Sequence, residues 1–298
     1  MAAMTARVDL IHDAKASLGE GPIWNEREGK LYWLDINGKC IHVFEPKSGK
    51  RTEYRLDQYP GALAFKESGG FLLAAHHGFY DLELGGNESL RMSKIADPEA
   101  RLPENRFNDG KCDPAGRFLA GTIAFDEEQG AASLYVLNQD KKVEKIFTDL
   151  TISNGMAWSP DETLFYFIDT PTMKVKAYSY NKETGELGEG QTVIDFTDKQ
   201  GAPDGMTIDE AGMLWIALYG GWGVVRVDPS NGEVLDTIEV PASNVTCCIF
   251  GGEKLDELYI TTARKELSEQ DLKKQPLAGG LFRCKPGVAG KPSYRFKG

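Results

Sequence analysis

Four residues able to offer oxygen to a cation recur at one place in a repeated pattern: Glu20, Asn108, Asn154 and Asp204. They sit in the stretches SLGEGPIW, RFNDGKC, SNGMAW and PDGMTI, each just ahead of an apolar run. A carboxylate at the entrance to a core is expensive unless it is paired or holds a metal. Asn and Asp are common turn residues, so any one of them alone reads as turn chemistry. Glutamate is not, which makes Glu20 the most telling. Two carboxylates and two amides that converge need positive charge, and a divalent ion supplies it. Oxygen donors suit hard cations such as Ca²⁺, Mn²⁺ or Mg²⁺, with Zn²⁺ less typical. The glycines beside these positions (Gly19, Gly21, Gly110, Gly155 and Gly205) let the backbone turn tightly near an ion.

Convergence requires an architecture that brings them together. Six segments align with one another: GEGPIWNEREGKLYWLD, PGALAFKESGGFLLAA, NDGKCDPAGRFLAGT, NGMAWSPDETLFYFID, PDGMTIDEAGMLWIA and VTCCIFGGEKLDELYIT. Each reads as a strand, a tight turn and a second strand. The residues before the turns are Trp24, Phe65, Cys112, Trp158, Ile208 and Phe250, at spacings of 41, 47, 46, 50 and 42. That period matches a four-stranded propeller blade. A second turn follows in most units (EPKSGK, NQDK, NKETGE, DPSNGE), with weaker signals in LGGNES and CKPGVAG. The expected fold is all-β: a six-bladed β-propeller, four antiparallel strands per blade, one domain over residues 1–298. The leading strand ARVDLIHD is expected to complete the last blade, and the tail PSYRFK also reads as strand-like.

In such a ring the first strand of each blade lines the central channel. Four residues before each anchor come Glu20, Gly61, Asn108, Asn154, Asp204 and Thr246, all at one level of that channel. Arg106 lies beside it, at the end of the long stretch ADPEARLPENRF. Residues 263–280 form another long loop, which the sequence offers as a lid. Asp35, Thr122 and Asp169 end the neighbouring strands, either to orient ligands or to cap turns. Tyr219 and the GGWG after it read as an aromatic wall or as surface packing.

Composition excludes other classes. The net charge of −11 argues against nucleic acid. No apolar run is long enough for a bilayer, and MAAMTARVDL lacks a secretory layout, so a soluble, cytoplasmic protein is expected. The five cysteines are odd in number and contain no C-x-x-C, which suits reduced thiols. None of the four histidines shows metal-ligand or nucleophile–base spacing, so a Cys-His enzyme is not expected.

The motifs SLGEGPIW, RFNDGKCDPAGRFLAGT, SNGMAWSPDETLFYFIDT and PDGMTIDEAGMLWIALYGG together resemble the regucalcin, gluconolactonase and luciferin-regenerating enzyme family, over about residues 17–262. The resemblance implies a divalent-metal-dependent lactonase acting on small sugar lactones. It implies one metal ion (Ca, Mn, Zn or Mg) held by Glu20, Asn154 and Asp204, with substrate contacts from Arg106 and Asn108. Where animal members carry two acidic residues after AGT, this chain has Phe125 and Asp126, so Asp126 is expected to take the substrate-binding place. The terminal RFKG is not a peroxisomal address, unlike insect luciferin-regenerating members. Asp204 is the expected catalytic base. The alternative is a calcium-binding regulatory propeller with little catalysis, in either case a monomer or small homo-oligomer.

Overall fold

The computed structural model describes residues 7–298. The start of the chain, read above as lacking a secretory layout, falls partly outside them. The described residues form six antiparallel sheets of four strands, closed into a six-bladed propeller. Five blades take consecutive strands. Their inner strands are Gly19–Asn25, Pro60–Phe65, Asn105–Cys112, Ser153–Trp158 and Ala202–Ile208. The sixth blade has Val245–Gly251 inside and Asp9–His12 outside, the latter paired to Leu281–Cys284. The N-terminal strand thus closes the ring, and the weak turn signal of CKPGVAG has its reason: no hairpin follows Cys284.

The tail departs from its strand-like pattern. It runs across the channel end where the anchors lie and ties blade to blade. Ser293 N–H donates to Glu26, Lys297 N–H to Gly116 O, Lys291 Nζ to Pro160 O and Gly290 N–H to Leu255 O. Phe296 is fully buried against the second and third blades. A strand needs a free sheet edge along its length, and the anchor end of the ring offers only turns.

The core is six seams. Separate apolar clusters fill the joints between neighbouring blades, for example Leu34, Ile41, Leu63 and Leu73 between blades 1 and 2. Trp24 and Trp33 meet Ile249 and Tyr259 between blades 1 and 6. Middle strands are covered on both faces, which explains continuous apolar runs such as Phe71–Ala75. Outer strands such as Lys50–Arg55 are largely exposed.

The residue after each anchor often closes the turn with its side chain. Asn25 accepts from Arg27 N–H, Ser159 from Leu164 N–H, and Asp209 from Ala211 and Met213 N–H. Asp113 does so for Arg117 N–H and also holds the Arg117 guanidinium at 2.6 Å, while Tyr180 O–H donates to it at 2.8 Å. Both charges are buried. Asp113→Ala leaves the Arg117 charge uncompensated, and chemical denaturation is expected to show a loss of about 3–5 kcal/mol.

Candidate functional site

All six inner strands slip register at the level of the channel residues. The slips fall between Glu20 and Ile23, Pro60 and Ala62, Phe107 and Asp109, Ser153 and Met156, Pro203 and Met206, and Val245 and Cys247. Asn108, Asn154 and Asp204 are themselves skipped by the pairing. A bulge of this kind re-aims a side chain away from the sheet's alternation. Here it turns polar residues of otherwise buried strands toward the channel.

Of the six in-register positions, four line one cavity: Glu20, Asn108, Asn154 and Asp204. The other two join blades. Thr246 Oγ1 donates to Gly19 O, linking the last blade to the first. A Cβ at Gly61 would stand 2.4 Å from the Phe107 carbonyl, so glycine permits the third blade's close approach.

The cavity measures about 230 Å³, and Arg106, Ile123, Glu127, Thr170, Tyr219, Lys265 and Glu266 complete much of its wall. Asn154 Nδ2 donates to Thr170 Oγ1 at 3.1 Å and to Asp204 Oδ1 at 2.5 Å. That fixes the amide and leaves Asn154 Oδ1 buried with no hydrogen-bond partner. Glu20 Oε2 accepts only from its neighbour Gly21 N–H, at 2.8 Å. Burial pushes the Glu20 carboxyl well above the usual range, and the nearby Asp204 and Asp109 charges push it further. Burial likewise raises Asp204, outweighing the Asn154 hydrogen bond. An orphaned amide oxygen thus stands beside two buried carboxylates, a donor set of the kind that hard cations take. Glu20, Asn154 and Asp204 therefore fit the divalent ion that the sequence implies.

Arg106 is buried and folded over its own segment. One guanidinium nitrogen donates to Phe107 O at 2.9 Å and to Asn108 Oδ1 at 3.0 Å. Asn108 Nδ2 in turn donates to Ser153 O of the next blade at 3.0 Å. Burial lowers Arg106 to about 10, so it remains a cation at neutral pH.

Asp126 is not in the cavity wall; Glu127 is. The Asp126 carboxylate is exposed and accepts from Glu128 N–H at 3.2 Å, closing its own turn. Glu127, the next residue of the turn, has a φ of 59° and lines the cavity. It meets Lys265 Nζ at 2.8 Å, an ion pair that spans the mouth from the third blade to the 263–280 loop. That loop thus supplies wall residues, and its one helix, Glu269–Lys274, starts on a Ser268 capping box. Tyr219 belongs to the same wall, and its hydroxyl donates to Lys265 O at 3.2 Å.

Asp35 and Asp169 are turn caps. The first accepts from Ser17, Leu18 and Gly38 N–H, the second from Thr151 and Ile152 N–H. Thr122 donates to Glu99 instead. The residue that orients a candidate ligand is Thr170, one step past Asp169, and the strand pattern gave no sign of it. Asp109, buried and raised by that burial, is a third channel carboxylate in RFND that the anchor spacing passed over.

The five cysteines are free and buried, as the odd count implied. Cys40 and His42 touch at 3.3 Å, a pairing that the sequence spacing did not single out. Two residues apart on a strand means the same face, a spacing that a search for helical or C-x-x-C patterns misses. Among the described residues no helix is long and apolar enough to cross a membrane.

Fold and site together define a class: a six-bladed propeller with a pocket lined by carboxylate and amide oxygens at one mouth of its channel. The model of the SMP-30/gluconolactonase/LRE-like region matches residues 18–264. The chain belongs to that family. It is 41% identical to a Bacillus subtilis (strain 168) protein provisionally named sugar lactone lactonase YvrE, over 96% of this chain and 97% of that protein. A solved luciferin-regenerating enzyme superposes with a TM-score of 0.91 at 31% identity, covering 98% of this chain and 99% of its own. A regucalcin of Agrobacterium tumefaciens, described as a calcium-binding protein, gives 0.90 at 31% identity, covering 97% and 98%.

Proposed function

We propose that the protein hydrolyses sugar lactones, taking an aldonolactone to its aldonic acid, with one divalent ion in the channel. Held by Glu20, Asn154 and Asp204, that ion supplies Lewis-acid polarisation of the ester carbonyl and acidifies water at the site. One observation carries the reading: the unpartnered Asn154 Oδ1 beside the buried carboxylates Glu20 and Asp204, in a cavity that Arg106 also walls. The likeness to a protein named as a lactonase supports it.

Asp204 takes the proton as the water oxygen bonds to the carbonyl carbon. The ring C–O bond then breaks, and the same proton returns to the leaving alkoxide. Arg106 and Asn108 bind sugar hydroxyls and steady the developing oxyanion. Glu127 assumes the hydroxyl-binding place first expected of Asp126. A cavity below the roughly 300–1,000 Å³ common for drug-sized ligands suits a single sugar ring. The all-oxygen donor set favours Ca²⁺, Mn²⁺ or Mg²⁺ over Zn²⁺. The calcium-binding alternative uses the same three ligands but gives Arg106 and Asn108 no task.

The test is a panel of aldonolactones followed by proton release. Acid production is expected, with loss on exhaustive chelation and recovery when a divalent ion returns. Undiminished turnover after complete metal removal rejects the mechanism. Ion binding with no turnover on any lactone favours the regulatory alternative.

A further inference from the structure

Away from the channel, blade 1 gathers a second set of metal-ligating side chains. Cys40 and His42 leave one face of the strand Cys40–Glu45. Glu53, on the outermost strand Lys50–Arg55, is paired directly opposite His42. One ligand atom from each of the three lies within 4.8 Å of the others. Cys40 Sγ is 3.3 Å from His42 Nε2; Glu53 Oε2 approaches the other ring nitrogen, Nδ1, at 3.8 Å and Glu53 also pairs with Arg55 at 2.7 Å, so its carboxylate must turn to share an ion with Cys40. Tetrahedral zinc, with bonds of about 2.3 Å to sulfur and about 2.0–2.1 Å to nitrogen, holds those two atoms about 3.5 Å apart. The sulfur–nitrogen pair is already close to that separation.

Another imidazole packs against the triad from the neighbouring blade. His12, the last residue of the closing strand Asp9–His12, has its ring centroid 5.6 Å from that of His42, edge to face. Trp33 stacks on His42 at 4.1 Å and backs the ring. Glu53 and His12 are partly exposed, which leaves an entry path for an ion.

We propose that Cys40, His42 and Glu53 form a second cation site, suited to a thiophilic divalent ion of the Zn²⁺ type, with the fourth position left to water. It differs in chemistry from the channel pocket, whose donors are all oxygen. Binding forms one sulfur–metal, one nitrogen–metal and one oxygen–metal bond from the protein and releases the thiol proton to solvent. All three ligands belong to blade 1, and His12 on the strand that closes the ring stands beside them.

The experiment uses full-length, reduced, demetallated protein. Loaded with Co²⁺, it is expected to show a thiolate-to-cobalt charge-transfer band in the near ultraviolet. That band should be absent in Cys40→Ser, which should also bind one Zn²⁺ fewer per chain by elemental analysis. Glu53→Gln, at the exposed rim, guards against misfolding as the cause. It is expected to melt with the metal-free parent and to bind Zn²⁺ at least about tenfold more weakly. Absence of the thiolate band in the parent, or equal zinc content in parent and Cys40→Ser, overturns the proposal. Neither outcome depends on lactone turnover.

Discussion

Asp204→Asn is expected to lower kcat/KM for an aldonolactone by at least about 10³-fold, while the metal-free variant melts above the metal-free parent. The loss follows from the two roles proposed for this one carboxylate, cation ligand and proton acceptor, the second alone being worth about 10²–10⁴. The gain in stability has the opposite origin. Burial already raises Asp204 and Glu20, and Asp204 adds to the Glu20 penalty. Removing one charge without changing shape relieves that repulsion, by about 1–2 kcal/mol in comparable trade-offs between function and stability. The asparagine still fills the site beside Asn154. Calorimetry of both proteins, with and without Mn²⁺ or Ca²⁺, checks the pair of effects. The ion should raise the parent's melting temperature and leave the variant's nearly unmoved. A metal-free variant that melts lower would mean that Asp204 serves the fold rather than the ion.

Arg106→Ala is the second large effect, a fall of about 10²–10³ in kcat/KM. Here the ion-induced rise in melting temperature should persist, because Arg106 is not among the cation's donors. Arg106→Lys is expected to recover little. The guanidinium nitrogen that bonds Phe107 O and Asn108 Oδ1 together sets the direction of the group, and an ammonium lacks that planar fork. Steady-state kinetics beside melting curves separates this substrate-side loss from the metal-side loss of Asp204→Asn.

The blade count, the inner strands and the level of the channel were legible because a propeller repeats one local pattern. Gly61 and Thr246 share the register of Glu20 and Asp204, yet one makes room for Phe107 and the other bonds Gly19 O. A common register specifies a common height in the ring. What a residue does there depends on which blade it faces.

By itself, then, the sequence determined which strands line the channel and which oxygen-bearing residues sit at its mouth. Strand periodicity is a property of neighbouring residues, and six copies of it overdetermine the answer. Tertiary structure alone decided the aim of side chains in loops and across seams. Glu127 rather than Asp126 lines the cavity, a difference of one position within a turn that strand period does not register. Lys265 reached the mouth from a loop far along the chain. Cys40, His42 and Glu53 met through pairing between strands, and His12 through closure of the ring. These encounters depend on packing between segments distant in the chain, for which local spacing carries no record.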